Sequence, residues 1–591
     1  MVQIIDKKLL PKILTGEKNK FESNVGELIF KGIPSSPGLA MGKAYVLKPD
    51  NVVVRPKKIP QDKIPNEVER FDSALQVMVK DITDALEKVK GESPNVVAIL
   101  ETNLMILNDE IIINSVKERI FKGISAESAV IQEYDQQEQF IKKSKDNILK
   151  ERSFELEHLK ERLLATLRNK VISYTIPEGS IVIAQSITPT DVVNFKDAKV
   201  LGIITEAGGI ASHSSILARS FEIPSVIGIK DLTWFINNHE KVIIDGYAGI
   251  VTVNPPDSSI ETYKTKKAKE EDHKRELGEL VKLPAETLDG SQIKIMANID
   301  FPEEIEAAVI AGCEGVGLVR TENLVISLKS FPDEEVQYKW YNEITERAYP
   351  NPVILRAFDV GSDKYAEGMP MLEKNPALGF RGIRFLLHRD DIFRKQIRAL
   401  LRASRNKNLK IMLPMISSVN EVEDSFKIIQ ECKKELEGNS IPFDNDVPVG
   451  IMIETPAAAF MADRFAKLVN FFSIGTNDLT QYTLAADRSN EMVTDIYDTF
   501  HPAVLNLIKN VIDVAKSNKI PVSVCGELAG NAAATGLLVG LGIEELSVTP
   551  PMILELKKRI REMKFKKAKK LAKEILECNS YIEVCKKLAI F

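Results

Sequence analysis

Cysteine is scarce in this chain. There are five in 591 residues, at positions 313, 432, 525, 578 and 585, with no CxxC pair and no disulfide spacing. A disulfide scaffold is excluded, and a reducing cytoplasm is the expected compartment. Long apolar runs are missing too. None approaches the roughly 18 residues that a membrane span needs. The opening "MVQIIDKKLLPKILTGEKNK" is broken by lysines and a proline, so it has no apolar core of a secretory signal. Charge of one sign is also lacking. The net charge of −5 gives no general affinity for nucleic acid or for an anionic membrane. What is present is an ordinary globular balance, 44% hydrophobic and 28% charged, on a chain too long for one core. Several domains are expected.

Their order can be read from changes of pattern. Residues 1–26 are a polar extension without a clear period. Short strands separated by Gly/Pro turns follow, then a block rich in Glu, Lys, Leu and Ile with apolar residues at helical spacing, as in "EVERFDSALQVMVKDITDALEKV". A four-helix arrangement suits that block. After "TIPEGS" the strands return. The expected organisation is therefore a discontinuous α/β domain (27–61 and 172–255) with an all-helical domain (62–171) inserted into it. Residues 256–284 are highly charged and predict a helical linker. From 285 to 591, eight apolar strand candidates alternate with amphipathic helical sequence: "KIMANID", "GVGLVRT", "VILRAFDV", "KIMLPMI", "VGIMIET", "FFSIGTND", "PVSVCGE" and "ELSVTP". Eight β/α units in that length predict a TIM barrel.

A barrel gathers its chemistry at the C-terminal ends of its strands. Strand two ends in Arg320 and strand three passes Arg356. Strand five ends in Glu454, strand six in Asn477 and Asp478, and strand seven in Cys525. Two arginines suit a phosphate or carboxylate, gripped bidentately. Two carboxylates suit a hard divalent cation, Mg²⁺ foremost. A cation bridging an anionic substrate is the arrangement of phosphoryl transfer.

Histidine is rarer than its chemistry would suggest, six in all, and one of them is pointedly placed. In "EAGGIASHSSILARSFEIP" a Gly-Gly pair precedes His213 just where a helix begins. Glycines allow close backbone approach, and a helix start favours phosphoryl oxygens and disfavours imidazolium. His213 could bind a phosphate, carry one or pack.

These stretches resemble a known family. "GGIASHSSILARSFEIP" resembles the phosphohistidine signature of PEP-utilising enzymes, and "FFSIGTNDLTQYTLAADRSN" resembles their barrel signature. With "VGLVRTE", "NPALGFRGIR", "MIETPAA", "HPAVLNLI" and "CGELAG", the chain from about Glu27 onward is similar to the Enzyme I family of bacterial sugar phosphotransferase systems. The resemblance implies a swivelling α/β phosphohistidine domain ahead of the barrel. Phosphoenolpyruvate would bind in the barrel with Mg²⁺ on Glu454 and Asp478, its phosphate on Arg320 and Arg356. Asn477, Asp478 and Arg488 match substrate-contacting positions, and Arg381 and Arg384 a nearby basic motif. Cys525 matches the acid that protonates the enolate carbon as pyruvate forms. His213 matches the histidine that is phosphorylated, and Thr188, in "SITPTD", a hydroxyl that hydrogen-bonds its ring. The insert would dock the carrier protein HPr, and the barrel would form a homodimer. The α/β domain would swing on the charged segment between loading and unloading.

Departures from the family pattern are Ala211, Ala357, Ser186 and Asn531, with Glu155 and His158 in the insert. None removes a catalytic side chain. Of two rivals, the first is disfavoured and the second stays open. A PEP synthase or dikinase needs a large ATP-binding domain ahead of the histidine, and no glycine-rich nucleotide loop appears there. A regulatory phosphorelay protein feeding an HPr-like acceptor differs only in what it serves.

Overall fold

The computed structural model describes residues 27–47, 58–89, 94–142, 156, 159–168, 176–209, 212–328, 330–361, 375–488, 490–493 and 495–589. The extension, Ala211, Glu155 and His158 lie outside the described residues. The chain divides into two compact units, Met1–Asp272 and His273–Phe591.

In the first unit the strands are β1 (Leu28–Lys31), β2 (Ile33–Ser36), β3 (Leu39–Leu47), β4 (Ser180–Ala184), β5 (Gly202–Thr205), β6 (Ser225–Ile227), β7 (Lys241–Asp245) and β8 (Ile250–Val253). They form one sheet in the order β1-β8-β7-β3-β4-β5-β6-β2. β3 and β4 are separated by the whole helical block, yet they lie side by side in parallel, Lys43 opposite Ser180 through Leu47 opposite Ala184. That pairing makes the helical block an insertion into a single sheet. β4, "SIVIA", is buried along its whole length, as a central strand covered on both faces must be. Its side chains alternate between two cores. Ile181 and Ile183 join Phe30, Val242 and Val251 on one face. Val182 joins Phe195, Leu217 and the helical insert on the other.

The insert has helices Ile64–Lys88, Pro94–Leu107, Glu110–Phe121 and Ala126–Lys142, and residues 159–167 are helical as well. The first helix buries Phe71, Ala74, Met78, Ile82 and Ala85, a spacing of three and four that marks one face of a 3.6-residue turn. Charged pairs seal its flanks, among them Arg70–Glu127 at 2.6 Å and Lys117–Asp72 at 2.8 Å. The charged linker is a helix, Asp257–Glu279, with no buried residue, and the division between the units falls within it.

The second unit is a closed barrel of eight parallel strands: β9 (Lys294–Ile299), β10 (Val316–Arg320), β11 (Val353–Arg356), β12 (Leu409–Leu413), β13 (Val449–Ile453), β14 (Phe472–Gly475), β15 (Val522–Cys525) and β16 (Glu545–Val548). All eight stand where the sequence pattern placed them. One detail differs. Asn477 and Asp478 do not end a strand; β14 stops at Gly475, and both residues occupy the first turn of helix Thr476–Leu484. Among the described residues no helix is long and apolar enough to cross a membrane.

Phe195 is fully buried where the sheet meets the insert. Phe195→Ala should cost about 3–5 kcal/mol by lost burial and the cavity left behind. Scanning calorimetry should show a lower melting transition for the first unit and an unmoved one for the barrel. An unchanged first transition would contradict a core shared by insert and sheet.

Candidate active site

Most of the predicted rim residues of the barrel meet in one buried charge cluster. Arg356, at the last position of β11, is 6% exposed. Its guanidinium pairs with Glu322, just past β10, and with Asp359 at 3.3 Å. Arg381 grips Asp359 with two nitrogens, at 3.1 and 2.7 Å, and reaches both oxygens of Asp478 at 3.4 Å. Tyr482 meets Arg381 at 3.2 Å. Glu454, one residue beyond β13, is 1% exposed and accepts the Met415 amide at 2.5 Å. Met415 has a left-handed backbone, φ +57°, which a side-chain-bearing residue adopts at a cost of about 1 kcal/mol or more. That conformation aims its N–H at the carboxylate.

The electrostatics follow from this crowding. Burial, with Asp478 and Asp359 close by, pushes Glu454 up to about 8, although Arg356 and Arg381 pull the other way. Burial works against the charge on Arg356 and Arg381. The surrounding carboxylates outweigh it and hold both well above the ordinary arginine value. Arg356 Nε and Thr476 Oγ1, donors at this rim, are buried with no hydrogen-bond partner. Buried donors without acceptors are rare and mark places where a ligand can bind.

The remaining rim residues are more open. Arg320 faces Asp300 at 3.5 Å and is partly exposed. Asn477 exchanges two hydrogen bonds with Glu527, side chain to side chain at 3.0 Å and Glu527 N–H to Asn477 Oδ1 at 3.0 Å. Gly526 makes this closeness possible. Its φ is +111°, and a Cβ there would stand 2.5 Å from Thr476 Oγ1. Arg488 is exposed, with its backbone N–H on Gln481 at 3.1 Å. Arg384 spends its guanidinium on the carbonyls of Leu378 and Gly379, both at 3.2 Å, so it braces a loop.

Cys525 ends β15 inside the barrel, 1% exposed. Ser473 Oγ donates to its sulfur at 3.2 Å. Burial pushes the thiol above its ordinary value, although the Ser473 hydrogen bond and the nearby arginines oppose the shift. The group is thus kept as S–H, the form in which it can give a proton.

In the first unit His213 is the first residue of helix His213–Ser220, capped by Ser212, whose Oγ accepts from Ser215 N–H at 3.3 Å. The ring therefore stands at the positive helix end. Ser214 Oγ ties this helix to the Ile187 carbonyl at 2.8 Å, next to Thr188. Thr188 caps helix Pro189–Asp197 in a reciprocal box and donates its hydroxyl proton to Asp191 at 2.7 Å. Its one proton is committed, so toward an imidazole Thr188 can only accept.

Glu322, Asp359, Met415, Tyr482 and Ser473 belong to the site and were not singled out from the sequence. The signal available for two of them was a carboxylate close behind a rim arginine, in "VRTE" and "RAFDV".

Three family models match. The PEP-utilising enzyme N-terminal, mobile-domain and PEP-binding-domain models cover residues 31–152, 176–249 and 274–565. The chain is 39% identical over 563 residues to a phosphoenolpyruvate-protein phosphotransferase of Haemophilus influenzae, covering 94% of this chain and 98% of the relative. It is 37% identical over 572 residues to one from Geobacillus stearothermophilus, covering 95% and 97%. It is also similar to an NMR solution structure of the Enzyme I protein nEIt, 35% identical, with a TM-score of 0.37 and coverage of 41% and 99%.

The difference in 240 nm absorbance between the wild type and Cys525→Ser reports the Cys525 thiolate. With the thiol pushed above its ordinary value by burial, that difference should stay flat through neutral pH. A rise well below pH 9 would contradict the protonated state.

Proposed function

Because the chain belongs to the Enzyme I family of PEP-utilising enzymes, the phosphoenolpyruvate–protein phosphotransferases, we propose that it moves the phosphoryl group of phosphoenolpyruvate onto His213. From there the group passes to a histidine of HPr, and pyruvate is released. The observation that carries the assignment of roles is the rim cluster. It combines fixed arginines, an orphaned guanidinium N–H and more carboxylates than arginines.

Arg320 and Arg356 hold the phosphate, and the unpartnered Arg356 Nε supplies a donor at no cost in broken bonds. Asn477 and Arg488 contact the rest of the substrate. Arg381 holds Asp359 and Asp478 in place. Glu454 and Asp478 would hold Mg²⁺. The fit rests on the donor set: four buried carboxylates face only two buried arginines, an imbalance that a divalent cation would neutralise. No cage of three or more His, Cys, Asp or Glu exists among the described residues. Two carboxylates, with water and substrate oxygens completing the shell, are what Mg²⁺ prefers. When bound, the ion neutralises charge on the phosphate and the leaving enolate oxygen.

His213 receives the phosphoryl group on the ring nitrogen that carries no proton. Thr188 can accept from the other nitrogen, with its own proton fixed on Asp191. Cys525 gives its thiol proton to the methylene carbon of the enolate, forming the methyl group of pyruvate. His213 and the arginine rim belong to different units, and the charged helix between them is where we place the swivel.

The helical insert is read as the HPr-docking domain. Its exposed Met105, Ile111 and Phe121 support a partner surface. Exposed Phe460, Met492 and Ile496 likewise support a homodimer through the barrel. Five free cysteines suit a cytoplasmic setting.

Labelled phosphoenolpyruvate with Mg²⁺ should mark the protein with an acid-labile phosphoramidate that His213→Ala abolishes. Stoichiometric label surviving in His213→Ala would overturn the assignment. Cys525→Ser should slow labelling by phosphoenolpyruvate about 10²-fold or more, the usual worth of a positioned acid. It should leave phosphate return from phospho-HPr intact, and equal loss in both directions would contradict the proton-donor role.

A further inference from the structure

TIM barrels fill their interior with branched apolar side chains. Around Cys525 the filling is apolar on β10 to β13, where Leu318, Ile354, Met412 and Met452 pack with the cysteine and with Phe471, the residue before β14. On β14 and β15 it fails. Ser523 Oγ donates to Ser473 Oγ at 3.1 Å, Ser473 Oγ donates to Cys525 Sγ at 3.2 Å, and the thiol points on to the Ile474 carbonyl at 3.6 Å. None of the three side chains is more than 3% exposed. Ser523 and Cys525 are two residues apart on one strand and so share the inward face.

The hydrogen-bonded file ends at Ser523, on the side of the opposite mouth of the barrel. Glu545, the first residue of β16, stands beside Ser523 in register. It lines a cavity of about 490 Å³ at the N-terminal ends of the strands, with Lys294, Glu314, Pro521 and Val522. Burial pushes its carboxyl above the ordinary value, with Glu314 adding to the shift and Lys410 and Lys294 opposing it.

This matters because each turnover leaves Cys525 as a thiolate in a site that disfavours one. At the rim above it stand the substrate pocket and the buried arginines. We propose that Ser473 and Ser523 return the proton to Cys525 from Glu545 and the cavity below, so that the barrel's N-terminal mouth serves as the proton entry for a reaction at its C-terminal rim. The inference rests on the reading of Cys525 as the proton donor.

The step balances without a co-reactant beyond water. The Cys525 S–H bond breaks, its proton forms the new C–H bond of pyruvate, and the electron pair stays on sulfur. The thiolate then takes the Ser473 hydroxyl proton, Ser473 takes that of Ser523, and Ser523 takes one from the Glu545 carboxyl. Water in the cavity reprotonates Glu545. Ser473, Ser523 and Glu545 touch no substrate and act only through Cys525.

The test compares first and later turnovers in the full-length protein with Mg²⁺, labelled phosphoenolpyruvate and HPr. A first turnover uses the proton already on Cys525. In Ser523→Ala and Glu545→Gln, rapid quench should therefore show a wild-type first burst of pyruvate. Steady-state pyruvate release should then fall about tenfold or more, since proton transfer is rate-contributing at that level. Thiolate absorbance at 240 nm should build up during the slowed phase, and Ser523→Thr, which keeps the hydroxyl, should restore the rate. Steady-state turnover at the wild-type rate would overturn the relay. So would a first turnover slowed in proportion with no thiolate signal, which marks mere structural damage. Cys525→Ser separates the two claims. If it leaves pyruvate release unchanged, the donor assignment itself fails. If it blocks release while the Ser523 and Glu545 variants cycle normally, only the relay fails.

Discussion

Four carboxylates, Glu322, Asp359, Glu454 and Asp478, share the buried rim of the barrel with two arginines, Arg356 and Arg381. With Glu454 protonated, as its raised value favours near neutral pH, three carboxylates against two arginines leave one negative charge in excess where water does not screen it, and ionising Glu454 makes it two. Each arginine is fixed because its partners cannot release it cheaply; stripping one member from a buried pair costs about 3–5 kcal/mol. Burial, together with Asp478 and Asp359, pushes the Glu454 carboxyl up to about 8, so taking the last proton off this cluster is costly without a cation. A site so arranged is incomplete by its own electrostatics. On the function proposed above, a divalent cation would complete it, and through that cation and the Arg356 N–H it would take a trianionic phosphate ester.

The first unit solves a different problem. A phosphoryl carrier must be nucleophilic when empty and tolerable to a dianion when full. On the role proposed for His213, its place at the start of a helix answers both needs, because a positive helix end disfavours imidazolium and favours phosphate oxygens. The sheet that holds this helix closes across the insertion through β3 and β4. The helical insert can therefore be added without disturbing the strand order around the histidine.

Much of this was legible in the sequence. Strand and helix periods differ enough that all eight barrel strands and the inserted block could be placed, and the rim arginines, Glu454 and Cys525 followed from the rule about strand ends. Asn477 and Asp478 were found but put on a strand, because "SIGTND" carries no signal that separates a strand end from a helix's first turn. Glu322 and Asp359 were passed over for another reason. A carboxylate near a strand end is usually solvated, and only the fold reveals that Arg356 lies against both. The left-handed Met415 had no glycine or asparagine to announce it. Thr188 was picked out by resemblance, but the direction of its proton became visible only with Asp191 in place.

The central claim is that the rim's excess negative charge makes substrate binding depend on a cation held by Glu454 and Asp478. The most direct measurement is calorimetric titration of phosphoenolpyruvate into His213→Ala, which cannot turn over, with and without Mg²⁺, beside the same protein carrying Glu454→Gln. Binding should be strong only with Mg²⁺ in the first protein, and largely insensitive to Mg²⁺ in the second. Equal affinity with and without the ion in His213→Ala would contradict the account.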